Sequence, residues 1–123
     1  MGYYRRGDVV FINIPFRIGS NVQGGNRPWV VVQNDIGNFH SPTTLLCPMT
    51  HKLKRLDLPT HAIVYGMNGS KPSMVLCEQV RVLDVSPDWK YATTLSKADM
   101  NKIDRSLWYA FFQGSGHVFT NRR

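Results

Sequence analysis

Acidic side chains are scarce in this sequence of 123 residues: eight Asp and Glu stand against fifteen Lys and Arg, a formal net charge of +7. Glu78 is the only glutamate. The imbalance argues against a cationic partner and for an anionic one, either nucleic acid or an acidic protein segment. Cysteine is equally sparse. Cys47 and Cys77 both lie within apolar runs, the pattern of buried, reduced thiols and not of a disulfide scaffold, so a reducing compartment is expected. No stretch approaches the ~20 apolar residues of a membrane span. The opening MGYYRRGDVV lacks the apolar core of a signal peptide, and Arg6 stands where a myristoylation signal needs Ser or Thr. A soluble, cytoplasmic protein is expected. His40, His51, His61 and His117 are dispersed, and the Cys47 to His51 spacing suits a ligand pair only on a helix, which Pro48 opposes. No metal or other cofactor is expected, and neither a serine-nucleophile elbow nor a phosphate-binding P-loop is present.

The basic residues are spread from Arg5 to Arg123 without a polybasic tail, which predicts a folded basic face. The length suits a single domain spanning residues 1–123, with its core over about residues 5–112 and a loosely held tail over 113–123. Residues 9–14, VVFINI, read as a first strand. Residues 15–26 are rich in Gly, Pro and polar side chains and predict a long, mobile active-site loop. A second strand is expected over 28–33, a turn over 34–38 and a third strand over 43–49, placed at an edge or bulge by Pro48. Charged residues 52–57 break the pattern before a short strand over 60–65 and a loop over 66–72. Residues 73–85 form the longest β pattern, with Glu78 interrupting an apolar face, a costly position unless it is paired or part of a site. Ser96, Asp99 and the apolar spacing of Met100, Ile103, Leu107, Ala110 and Phe111 predict a terminal helix that Gly114 stops. Short strands, turns and one amphipathic helix indicate a mainly β fold, a small barrel or sandwich with a packed helix.

The stretch from Gly19 to Thr50 carries the chemistry. A Gly-rich loop bearing Arg27 leads into one apolar run, and a second run ends at Thr50. A guanidinium fork matches phosphate oxygens and a threonine hydroxyl can donate or accept, so the pair suits phosphate chemistry. Ordinary turn chemistry would also select Gly, Asn and Pro there, and a strand-end Thr commonly bonds its own backbone.

The runs Gly24-Gly25-Asn26-Arg27-Pro28, Val30-Val31-Val32-Gln33-Asn34-Asp35, Ser41-Pro42-Thr43 and Pro48-Met49-Thr50 resemble the MazF/PemK family of toxin endoribonucleases. So do Arg6-Gly7-Asp8-Val9, Leu58-Pro59-Thr60-His61 and Leu76-Cys77-Glu78-Gln79-Val80-Arg81. The resemblance covers about residues 5–112. It implies an SH3-like barrel with a C-terminal α-helix, a homodimer, a single-stranded RNA substrate and an acidic antitoxin as cognate partner. It also implies metal-independent, sequence-selective cleavage that leaves 2′,3′-cyclic phosphate and 5′-hydroxyl ends. Arg27 and Thr50 match the family's catalytic positions. Two departures concern the general base. Many members carry a Glu just before the Gln-Gly/Ala-Gly run, where this chain reads Asn21-Val22-Gln23-Gly24-Gly25 without a carboxylate. A plasmid-borne branch places an Arg and an Asp in the late strand, where this chain has Leu76 and Glu78. Glu78 is therefore a candidate base and His51 another, although strand alternation turns His51 to the opposite face from Thr50. Ser20, Gln23, Asn26 and Lys52 are candidate contacts to substrate, and Phe16 is a candidate base-stacking residue. Trp29 fits core or interface better. Two other readings share the barrel: a CcdB-like toxin that grips DNA gyrase with its terminal helix, and an RNA-binding barrel without catalysis.

Overall fold

The computed structural model describes residues 3–15, 18–21, 23–68 and 71–112. Phe16 and the tail beginning at residue 113, with Gly114, lie outside the described residues. β-branched and apolar runs form the sheet: β1 (Asp8–Ile14), β2 (Gly25–Val31), β3 (Thr43–Thr50), β4 (His61–Asn68), β5 (Lys71–Leu76), β6 (Arg81–Asp84) and β7 (Lys90–Thr94). Helix α1 (Asp35–His40) lies between β2 and β3, a 3₁₀ turn (Cys77–Gln79) between β5 and β6, and helix α2 (Lys97–Phe111) follows β7. The seven strands make one curled sheet in the order β4-β5-β3-β2-β1-β7, with β6 also paired to β3. All of the pairings are antiparallel. This is the expected mainly β, SH3-like barrel with a terminal helix. Among the described residues no helix is long and apolar enough to cross a membrane.

Alternation along the strands gives the sheet two apolar faces. Val9, Val30, Cys47, Met49, Val64 and Val75 pack on one face with Met100 and Ile103 of α2. Val10, Ile12, Trp29, Val31 and Leu46 pack on the other, flanked by Tyr4, Leu83 and Trp89. Trp29 is fully buried and belongs to this core. Each fully buried large apolar side chain contributes roughly 1.5–3 kcal/mol, so these two clusters supply most of the folding drive. Cys47 and Cys77 are buried free thiols. A thiol–thiol hydrogen bond in which Cys77 donates to Cys47, and then burial, push the Cys77 thiol far above its ordinary value.

Several expectations need correction. β2 begins at Gly25, so Arg27 is a strand residue and not part of the loop. Residues 34–38 do not form a simple turn: the Asn34 side chain accepts from the Gly37 amide and caps α1. Pro48 is not at an edge. It pairs with Trp29 on one side, at the point where β3 changes its other partner from β6 (Leu46↔Arg81) to β5 (Met49↔Val75), so its missing N–H breaks no ladder. The expected loop over 66–72 is mostly strand, because β4 runs to Asn68 and β5 starts at Lys71. The long pattern over 73–85 divides at the 3₁₀ turn, which carries Glu78 off the sheet and leaves its side chain 40% exposed. β7 was absent from the sequence reading, since this mostly exposed edge strand shows no apolar alternation. Phe111 does not join the buried stripe of α2 and is 62% exposed.

The cap of α2 follows the expectation in half. Ser96 Oγ accepts from the Asp99 amide at 3.1 Å. The buried Asp99 carboxylate turns instead to β4, where it accepts from the Tyr65 and Gly66 amides, both at 3.2 Å. Gly66 lies within the register shift between Val64 and Asn68, and a Cβ there would meet Leu95 Cδ2 at 2.8 Å. Asp99 thus ties α2 to an irregular strand. Asp99→Ala strands two backbone donors and should cost about 3 kcal/mol. Thermal unfolding tests this, and a melting point equal to the parent's would refute the tie.

Candidate active-site groove

The β2–β3 register builds the site. Trp29↔Pro48, Val30↔Cys47 and Val31↔Leu46 are paired, and the same register carried two residues further sets Arg27 opposite Thr50. Directly opposed residues project from the same sheet face. Arg27 Nη1 donates to the Met49 carbonyl at 3.4 Å, and Nε donates to the Gly24 carbonyl at 3.0 Å. Gly25 at φ 79° supplies the left-handed turn beside that carbonyl, a conformation that a side chain resists. Partial burial lowers the pKa of the guanidinium from its ordinary value, yet arginine remains a cation at neutral pH. Its remaining N–H groups are available to an anion. Thr50 Oγ1 accepts from the Lys52 amide at 3.1 Å. The strand-end backbone bond therefore exists, and because the oxygen accepts in it, the hydroxyl proton is left for donation to another partner.

Arg27 and Thr50 line a groove of about 520 Å³ together with Gln23, Lys52, Lys54, Arg55, His61 and Glu78. Glu78 is the one carboxylate among the described lining residues. An adjoining depression of about 580 Å³ shares Gln23, Glu78 and Gln79 and adds Ser20 and Arg81. The two form a continuous path with cations along its length. A smaller pocket of about 120 Å³, between Tyr3, Tyr4, Asn38 and Val85, carries no charged side chain and so nothing suited to phosphate.

The structure thus brings together Arg27, Thr50, Glu78, Gln23 and Lys52, with Ser20 in the adjoining depression. It does not bring His51 or Asn26 to them. His51 lines a separate depression with Leu53, Lys71 and Pro72, and its Nδ1 is 3.4 Å from Ser73 Oγ, as strand alternation requires. Asn26 neighbours Arg27 on β2, projects from the other face and is exposed. Phe16 lies outside the described residues. Among these residues no group of three His, Cys, Asp or Glu side chains could hold a metal ion.

Two residues were missed by the sequence reading as site members. Gln79 Oε1 accepts from the Gln23 amide at 2.9 Å, and its Nε2 donates to the Asn21 carbonyl at 3.4 Å, so one amide side chain anchors the β1–β2 connection. His61 opens β4 and is 3.1 Å from Glu78. The signal for both was their place in the quoted motifs, Leu-Pro-Thr-His and Leu-Cys-Glu-Gln.

A basic groove at the junction of two strands thus presents a guanidinium, a hydroxyl and one carboxylate on a barrel, groups whose chemistry suits a phosphodiester. Comparison with known proteins places it further. Residues 5–111 match the family of PemK-like, MazF-like toxins of type II toxin–antitoxin systems. The chain is 38% identical over 107 residues to the endoribonuclease EndoA of Bacillus subtilis (strain 168), a match covering 84% of this chain and 90% of that protein. Its fold is similar to that of MazF from Deinococcus radiodurans, with a TM-score of 0.73, 21% identity, and 89% and 97% of the two chains covered. It is also similar to a mycobacterial endoribonuclease in complex with its cognate antitoxin, with a TM-score of 0.68, 22% identity, and 91% and 98% covered. This chain belongs to the PemK-like, MazF-like toxin family.

Gln79→Ala should remove the hydrogen-exchange protection of the Gln23 amide while lowering stability by only about 1 kcal/mol, the worth of an ordinary hydrogen bond. Retained protection at that amide would show that Gln79 does not hold the segment.

Proposed function

We propose that this toxin is a metal-independent, sequence-selective endoribonuclease acting on single-stranded RNA, and that it inhibits translation and growth by cutting messages. The single observation that carries this reading is the meeting of Arg27 and Thr50 in one groove, just past the last pair of the β2–β3 ladder, beside the only glutamate. RNA supplies its own nucleophile. As the 2′-oxygen to phosphorus bond forms and the bond to the 5′-oxygen breaks, the 2′-hydroxyl proton passes to Glu78. In-line displacement puts the 5′-oxygen on the far side of phosphorus, where water supplies a proton, and Glu78 later returns its own to water. Arg27 stabilises the charge developing on the phosphorane oxygens, and the Thr50 hydroxyl donates to the same phosphate. The products are a 2′,3′-cyclic phosphate and a 5′-hydroxyl. Ser20, Gln23 and Lys52 line the path along which sugars, bases and flanking phosphates would lie.

The partners belong to the same proposal: an acidic cognate antitoxin drawn to the +7 chain, a second copy forming a homodimer, and a cytoplasmic setting. Sedimentation at micromolar concentration checks the dimer, and a purely monomeric boundary there would exclude it. The gyrase-binding alternative has one observation in its favour. Trp108, Phe111 and Phe112 are 55%, 62% and 69% exposed and pack against one another at the end of α2.

Purified protein incubated with long single-stranded RNA in EDTA should give discrete cuts with cyclic-phosphate ends. Arg27→Ala and Thr50→Ala should each lower the rate by about 100-fold or more. Arg27→Lys should restore little, because an ammonium lacks the planar fork. Inhibition of DNA supercoiling without RNA cutting would move the assignment to the gyrase-binding class.

A further inference from the structure

Resting on the ribonuclease reading, we infer that His61 is a positioning residue whose doubly protonated ring holds Glu78 as an ionised carboxylate facing the groove. His61 pairs with Leu76 across the β4–β5 ladder, which brings its ring to the 3₁₀ turn that follows Leu76. The side chain is 6% exposed. Its Nδ1 lies 3.0 Å from the Arg55 carbonyl oxygen, and its Nε2 lies 3.1 Å from Glu78 Oε2.

A carbonyl oxygen only accepts, so Nδ1 carries a proton and donates it. A neutral ring with Nδ1 protonated has only a lone pair at Nε2, and that lone pair would face a carboxylate oxygen. The arrangement is satisfied only when a proton lies between Nε2 and Oε2. If it belonged to Glu78, the carboxyl would have no charge with which to take the 2′-hydroxyl proton. If it belongs to the ring, both nitrogens are donors, both have acceptors, and the second carboxylate oxygen keeps its lone pairs for chemistry.

The surroundings decide between these two placements. Arg27, Lys52, Lys54 and Arg55 line the groove with the pair. Lys102 and Arg105 of α2 line the depression on the other side of His61. Two of these cations have carboxylates of their own, Asp57 on Arg55 and Asp99 on Lys102. Cations on both sides favour an ionised Glu78 and weigh against a charged ring, but among the described residues the ring alone is within ion-pair distance of Glu78. A direct hydrogen-bonded pair outweighs charges that act across solvent.

The backbone is arranged to hold the ring. Arg55 sits at φ 50°, an uncommon conformation for a non-glycine residue. Its carbonyl also accepts from the Leu58 amide at 3.1 Å, and the His61 amide donates to the Leu58 carbonyl at 3.0 Å. The turn that orients the imidazole is therefore fastened to His61 itself. Glu78 stands on a 3₁₀ turn with no such framework, and His61 supplies its anchor.

Nitrogen-15 NMR of the full-length protein, labelled at histidine and recorded at pH 7, tests the pair without reference to activity. Protonation of both His61 nitrogens is expected, with Nε2 losing its proton in Glu78→Gln. An unprotonated Nε2 in the parent protein overturns the proposal. Kinetics then test the role. His61→Ala should lower kcat for RNA cleavage about 100-fold with little change in KM. His61→Gln, whose amide can still donate to Glu78 but carries no charge, should recover about tenfold of that loss. A folded His61→Ala protein at the parent rate, or a Gln variant no better than Ala, overturns the positioning role. A doubly protonated ring in a parent protein that cuts no RNA overturns the ribonuclease reading and leaves the pair a purely structural one.

Discussion

The pairing of β2 with β3 is the constraint on which the site depends. Neither Arg27 nor Thr50 is special in isolation, since arginines near glycine-rich turns and threonines at strand ends are commonplace. Their meeting is fixed by backbone hydrogen bonds between Trp29 to Val31 and Leu46 to Pro48, themselves locked by side chains buried on both faces. A slip of one residue would carry Arg27 to the opposite face and put apolar side chains into water, so the same packing that stabilises the sheet enforces the active geometry. Pro48 belongs to this scheme. Because it sits where β3 trades β6 for β5, the strand can serve two partners on one edge while its other edge stays continuous with β2.

The scarcity of acid noted at the outset acquires a structural meaning. Asp8 is bound by the Arg5 amide and the Thr94 hydroxyl. Asp35 takes the Arg6 amide, Asp104 the Arg6 guanidinium, Asp57 pairs with Arg55, and Asp99 holds the β4 irregularity. These carboxylates are engaged in joining segments. Glu78 instead lies in the groove beside His61, among Arg27, Lys52, Lys54 and Arg55. A negative charge there gains nothing electrostatically for binding an anion, and this is the physical ground for proposing it as the proton acceptor.

The strands and the helix were legible in the sequence wherever apolar side chains alternate or recur at helical spacing, as in residues 9–14 and at Met100 and Ile103. Legibility failed where a local rule was overridden by long-range pairing. Pro48 reads as an edge residue until its place between two partners is known. Residues 73–85 read as one strand because the 3₁₀ turn at Cys77–Gln79 preserves the apolar rhythm on both sides. Lys90–Thr94 carries no rhythm at all, being held by β1 at an exposed edge. In the site, Arg27, Thr50 and Glu78 were legible through motif resemblance and Lys52 through charge. Gln79 and His61 were not singled out, since a glutamine's role lies in two backbone atoms more than fifty residues away and a histidine's in the carbonyl it faces. Neither relation leaves a periodic trace.

The segment between Thr50 and His61 begins and ends inside the groove, and both of its ends are clamped by ladders, Thr50 to Met74 and His61 to Leu76. Its middle, with Lys54, Arg55 and Leu56, is exposed. Substitution of its exposed side chains can therefore alter what the groove accommodates, while the Arg55 carbonyl that faces His61 belongs to the backbone and stays in place.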